Sequence, residues 1–154
     1  MATKSIIVPT DFSAESELAL EYAEMLAGVV GARLVIVHVQ ELPIVPAEAS
    51  YRFDSSPADD GGVEAMLESV KPSSRGIAYE HRLVFGDPAS RIVALADDEH
   101  AEMIVMSLRR NGRGRSISGT LTEAVMHAAN CPVLVVNEQA DVGSSTKAQA
   151  SAFA

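Results

Sequence analysis

The sequence predicts an α/β fold, a parallel sheet of five strands covered by helices on both faces in three α/β/α layers. Three observations predict it. Short runs of Val, Ile and Leu, mostly apolar throughout rather than alternating, recur along the chain, as strands buried on both faces do. Segments of helical spacing separate these runs, and that alternation implies parallel strands joined by right-handed crossovers. The 154 residues suit one domain with one sizeable core.

"KSIIVP" (4–9) reads as the first buried strand, closed by Pro9. After "TDFS", Ser13 is the expected N-cap of a helix whose Glu15 and Glu17 suit the positive end of the helix dipole. Leu18, Tyr22, Met25, Leu26 and Val29 recur at helical spacing and predict its apolar face. Gly31 is the expected stop. "RLVIVHV" (33–39) is the second strand. Residues 40–62 show little periodicity and read as a connector, with Ser56-Pro57 as an N-cap followed by proline in the first turn. Val63, Met66, Leu67 and Val70 give the second helix an apolar stripe ending at Pro72.

"IAYEHRLVF" (77–85) alternates in part, which suits a third strand nearer an edge. Asp87-Pro88 starts a third helix with Ile92, Val93, Leu95 and Ala96 toward the core. "AEMIVMS" (101–107) is the fourth strand. A fourth helix follows from about Thr120 to Asn130, expected to face inward through Leu121, Ala124, Val125 and Ala128, and "PVLVV" (132–136) is the fifth strand. Residues 1–138 thus form the domain. The small, polar residues 139–154 read as a disordered tail.

A formal net charge of −9 argues against broad nucleic-acid binding. No apolar run approaches a membrane span, and "MATKSIIVPT" lacks the h-region of a signal peptide. The expectation is a cytoplasmic protein. Cys131 is the single cysteine, read as a partly buried structural thiol. His38, His81, His100 and His127 show no metal-ligand spacing. His38, inside an apolar strand, reads as a core histidine with a satisfied ring nitrogen. Asp97, Asp98 and Glu99 read as a solvated helix end. No serine triad, HExxH or Walker motif is present.

In open parallel sheets, ligands bind outside the carboxyl ends of the strands, where strand order reverses. Two segments leave such ends: "PTDFS" after the first strand and "LRRNGRGRSISGT" after the fourth. Four of the twelve Lys and Arg residues, Arg109, Arg110, Arg113 and Arg115, fall in the second. It runs into a helix N-terminus, where free N–H groups, Gly119, Thr120 and Thr122 make an anion site. Forked arginine donors suit phosphate oxygens. The alternative is a solvated loop balancing an acidic surface. Asp11 either accepts from a ribose hydroxyl or adenine amine, or caps the first helix. Val39 either offers main-chain groups to a base edge or packs in the core.

In that order, "IIVPTDFS", "LVIVHV", "GDPASRIVALADDEHAEMIVMS" and "SGTLTEAVMHAANCPVLVVNE" resemble the universal stress protein family over about residues 3–138. The resemblance implies a Rossmann-like sheet of order 3-2-1-4-5 and a homodimer through strand 132–136. Many members bind ATP through G-x-x-G-x9-G-[ST]. Gly119-Thr120 keeps the end of that pattern. Met106 and Arg109, or by a one-residue shift Ser107 and Arg110, stand where the earlier glycines belong. Those glycines let backbone N–H groups close on phosphates without a Cβ in the way.

By resemblance, Pro9, Thr10, Asp11 and Val39 line the adenosine part of a pocket. Met106, Ser107, Gly119, Thr120 and Thr122 line its phosphate part. Arg109 and Arg110 are added from this chain's own charge pattern. The expected ligand is ATP or another adenine nucleotide, with or without Mg²⁺, bound by a stress-response dimer with at most slow hydrolysis. The alternative is a nucleotide-free interaction module whose arginine loop is structural or contacts a partner.

Overall fold

The computed structural model describes residues 3–41, 60–108 and 120–137. Within them, strands β1 (Ser5–Pro9), β2 (Arg33–Gln40), β3 (Tyr79–Phe85), β4 (Met103–Ser107) and β5 (Val133–Val136) alternate with helices. The helices are α1 (Ala14–Val30), α2 (Asp60–Ser69), α3 (Pro88–Asp98) and α4 (Thr120–Ala128). The strands are parallel and lie in the order β3-β2-β1-β4-β5. Strand order therefore reverses at β1, which pairs with β2 on one side and β4 on the other.

The period of two along a strand sends alternate side chains to opposite faces. Ile6, Val8, Leu34, Ile36 and Val105 face α1 and α2. Ile7, Val35, Val37, Ile104 and Met106 face α3 and α4. The three central strands are thus apolar at successive positions because both their faces are covered. β3 lies at an edge, as its partial alternation predicts.

Caps set the helix ends. Ser13 accepts the Ser16 N–H at 3.2 Å, and Gly31 ends α1 at φ 72°, donating its N–H to the Ala27 carbonyl at 2.9 Å. Asp87 accepts the Ser90 N–H at 3.0 Å and Pro88 follows in the first turn. The Ser90 hydroxyl also donates to Asp87, at 2.8 Å, and the two donations, backbone first and hydroxyl second, hold the Asp87 carboxyl below its usual range. The Ser56-Pro57 cap and the 139–154 tail lie outside the described residues.

Two helix faces differ from expectation. α1 buries Ser16, Ala19, Leu20, Ala23, Glu24 and Ala27, while Met25 and Val29 are 61% and 80% exposed. Small side chains let the helix axis approach the sheet, so the buried stripe lies beside the most hydrophobic residues, with Leu18, Tyr22 and Leu26 flanking it. α4 buries Thr122 and Val125, whereas Leu121, Ala124 and Ala128 face solvent. Of the predicted stripe, Val125 lies inward as expected.

The acidic run 97–99 is also not uniformly solvated. Glu99 ion-pairs with Arg33 and, at 3.0 Å, with Arg82, while Glu80 takes the other arm of Arg33. This cluster ties β2, β3 and the end of α3 together at the amino end of the sheet. Asp97 accepts from the Asn130 amide at 3.1 Å. Cys131 is half-buried, and burial, then Asp97, raise its thiol pKa.

Candidate functional site

β1 leaves the sheet after Pro9, and the next four residues build a tight turn into α1. The Thr10 N–H still donates to the Val37 carbonyl at 2.8 Å, and the Thr10 carbonyl accepts from His38 Nδ1 at 2.8 Å. A carbonyl only accepts, so Nδ1 carries the proton. His38 is therefore satisfied, as its place in an apolar strand predicts. Phe12 stacks on its ring with centroids 4.6 Å apart and sits at φ 66°, a left-handed conformation that costs a side-chain-bearing residue about 1 kcal/mol.

Hydroxyls complete the turn. Thr10 Oγ1 accepts the Phe12 N–H at 3.1 Å and lies 3.1 Å from Ser16 Oγ. Ser16 Oγ donates to the Ser13 carbonyl at 2.8 Å, so Thr10 is the donor in the Thr10–Ser16 pair. Ser13 donates both its N–H, at 3.1 Å, and its hydroxyl to Asp11 Oδ1. Asp11 is thus fixed by the residue that caps α1. The turn it braces also borders the cleft described next.

A cleft of about 490 Å³ opens at the carboxyl ends of β1, β2 and β4. Pro9, Thr10, Asp11, Val39, Met106, Ser107 and Thr122, all expected at the site, line it. Thr122 reaches it from the first turn of α4. Arg109, Arg110 and Gly119 lie outside the described residues. Thr120 begins α4. The turn after β1 and the start of α4 therefore meet at one end of the sheet.

The lining also includes residues the sequence did not single out as site residues: Ser16, Val37, His38, Glu41, Leu121, and Pro88 and Ile92 of α3. Val37, Val39, Ile92 and Leu121 give an apolar wall. Thr10, Ser16, Ser107 and Thr122 give hydroxyls. The formal charges among the described lining residues are the carboxylates of Asp11 and Glu41. Main-chain direction matters at Val39. The Val37 carbonyl faces β1 and the Gln40 carbonyl faces β3, where Gly86 donates to it at 3.1 Å. By alternation the Val39 main chain turns to the β1 side, where β1 has already left the sheet. Val39 packs against the core and also borders the cleft.

Such a wall accepts a flat apolar ring, offers carboxylates to hydroxyl or amine donors, and leaves anionic groups to be met from beyond it. Among the described residues, no three His, Cys, Asp or Glu side chains cluster to hold a metal ion. No helix among them is long and apolar enough to cross a membrane.

A family model described as "Universal stress protein family" matches residues 2–137. A universal stress protein of Methanocaldococcus jannaschii is 33% identical over 140 residues, covering 88% of this chain and 82% of that protein. One from Thermus aquaticus is 31% identical over 136 residues, covering 86% and 98%. Among solved structures, a universal stress protein from Archaeoglobus fulgidus superposes with a TM-score of 0.68 at 24% identity, covering 88% of this chain and 98% of that one. A universal stress protein described in complex with cAMP superposes at 0.63 with 25% identity over the same shares.

Proposed function

The chain belongs to the universal stress protein family, and from that premise we propose that its strand-end cleft binds an adenine nucleotide. The observation that carries the reading is the convergence of Thr10, Asp11, Val39, Met106, Ser107 and Thr122 on one cavity where strand order reverses. A related structure described with cAMP supports the ligand class.

Each part of the ligand has a partner in the wall. Val37, Val39, Ile92 and Leu121 take the base between apolar surfaces, and the Val39 main chain meets its edge. Asp11 accepts from the ribose hydroxyls. Ser107, Thr122 and the N-terminus of α4, which begins at Thr120, take phosphate oxygens, with Gly119 just before it in sequence. Arg109 and Arg110 supply positive charge that the described lining residues lack, replacing the contacts of the absent glycines. ATP brings Mg²⁺ on its phosphates.

The same reading includes a homodimer through β5. β5 is an edge strand whose Leu134 is 39% exposed. Pro132 and Val136 give their carbonyls to Ile104 and Leu108 of the β4 side. Residues 133 and 135 therefore turn their main-chain groups outward, where a second copy can pair with them.

Thermal shift with adenosine, AMP, cAMP and ATP, with and without Mg²⁺, tests the ligand. A ligand at about 100 times its Kd stabilises by ~2.7 kcal/mol. Asp11→Ala is expected to weaken all four. The pair Arg109→Ala and Arg110→Ala is expected to weaken ATP more than adenosine. If none of the four moves Tm, the chain acts without nucleotide and the arginine loop is structural or contacts a partner. If the arginine pair tightens ATP, those side chains block the cleft instead.

A further inference from the structure

We propose that His38 is the positioning residue of the nucleotide cleft, acting through the β1–α1 turn to aim Asp11; this rests on the nucleotide reading above. A positioning role requires that the residue hold something otherwise unable to hold itself. The turn meets that requirement. Phe12 adopts a left-handed φ of 66° without being glycine, and such outliers persist only where the surroundings over-determine them. His38 supplies two of the determinants. Its Nδ1–H fixes the Thr10 carbonyl at 2.8 Å, and its ring carries Phe12 with centroids 4.6 Å apart.

The effect reaches Asp11 by a short path. His38 fixes both sides of Asp11: the Thr10 carbonyl that precedes it and the Phe12 ring that follows it. The Thr10 hydroxyl then accepts the Phe12 N–H at 3.1 Å, which closes the turn. Ser13, next along, gives its N–H and hydroxyl to Asp11 Oδ1. With its neighbours held and its Oδ1 taken, the carboxylate has one direction. His38 sits in β2, whose main chain is bonded to β1 and β3. The turn is thus referenced to the rigid sheet instead of to its own short loop.

The two roles of the ring separate by substitution. His38→Phe keeps a ring against Phe12 and removes the donor. His38→Asn keeps a donor at the place of Nδ1 and removes the ring. Calorimetric Kd values for adenosine and AMP are measured on the full chain, below the Tm of each variant. His38→Phe is expected to weaken both ligands by about tenfold, as the loss of one hydrogen bond does. His38→Asn restores most of that loss. In an Asp11→Ala background the same His38→Phe change shifts Kd less than about twofold, because a residue acting through Asp11 has nothing left to act on.

Three results overturn the proposal in distinguishable ways. If wild type binds neither ligand, this inference falls, and if cAMP and ATP also leave Tm unchanged the nucleotide reading falls with it. If wild type binds and His38→Phe binds as well, the reading stands and the positioning role falls. If His38→Phe weakens binding equally with and without Asp11, His38 acts elsewhere. Should His38→Phe fail to fold, nitrogen-detected NMR of the wild type decides: a proton absent from Nδ1 of neutral His38 would refute the hydrogen bond on which the argument stands.

Discussion

Glu24 is a carboxylate in the buried stripe of α1, 6% exposed. It accepts the Ser73 N–H at 2.6 Å, the Ser73 hydroxyl at 3.1 Å, the Ser74 N–H at 3.3 Å and the Ser74 hydroxyl at 3.2 Å. It thereby holds the segment that leads from α2 into β3. Glu24→Ala removes all four acceptor contacts. Hydrogen bonds to a charged group are worth about 1.5–3 kcal/mol each, but Ser73 and Ser74 are exposed and water re-solvates their hydroxyls. The two main-chain donors dominate, and the expected loss is about 2–3 kcal/mol. For a chain of this size that lowers Tm by about 4–12 °C. Glu24→Gln keeps the shape and one acceptor oxygen, so about 1 kcal/mol is expected. Urea unfolding followed by circular dichroism reads both, with unchanged m-values. If both variants fall within about 0.5 kcal/mol of wild type, the carboxylate is not what holds this segment.

Val135→Pro removes a main-chain donor that faces away from β4, so the sheet is expected to survive while light scattering reports a monomer; a dimer of unchanged affinity would place the interface elsewhere. Gly31→Ala is expected to cost about 1 kcal/mol, for conformational reasons alone, since φ is 72° and a Cβ there meets nothing within 4 Å; no change in unfolding midpoint would contradict this. Burial raises the Glu80 pKa, but the Arg33 hydrogen bond and charge, aided by Arg82, outweigh it and leave the carboxyl below its ordinary value. The unfolded chain therefore binds this proton first, and the stability Glu80 contributes is present above the unfolded pKa and lost as pH falls through the lower folded one. Glu80→Gln should flatten the acid limb of the stability curve slightly, since Glu80 is 37% exposed and screened; a steeper acid limb would reverse the sign assigned here.

The strands were legible because both faces of the three central ones are covered, which leaves runs such as Ile6-Ile7-Val8 with no polar alternation. Ser13, Gly31 and Asp87 were legible as caps because their chemistry is local. The buried faces of α1 and α4 were not. A hydrophobicity pattern weights Met25 and Val29 above Ala19, Ala23 and Ala27, yet a helix lying on a sheet is governed by how closely its axis approaches. Glu24 and Glu99 were hidden for a related reason: the partners that make a buried or half-buried carboxylate tolerable, Ser73 and Ser74 for one and Arg33 and Arg82 for the other, lie far along the chain. At the cleft, the sequence reading reached Asp11, Val39 and Thr122 from the strand ends, and Pro9, Thr10, Met106 and Ser107 only through the family resemblance. It missed Ser16 and His38, whose roles arise only once the turn folds back on β2, and Pro88 and Ile92, which α3 brings in from the next crossover.

The charge of the cleft wall constrains how a nucleotide would be held. Among the described lining residues the formal charges are Asp11 and Glu41, and these repel phosphate and welcome hydroxyl and amine donors. On the proposed reading the nucleoside end must then sit against the carboxylates, and the phosphates must point toward the α4 N-terminus and the arginines before it. Orientation follows from repulsion at one end as much as from attraction at the other. This is why the turn after β1 needs rigid bracing. A carboxylate that accepts ribose hydroxyls discriminates only if its direction is fixed, whereas arginine side chains that neutralise phosphate act over a wider range of positions.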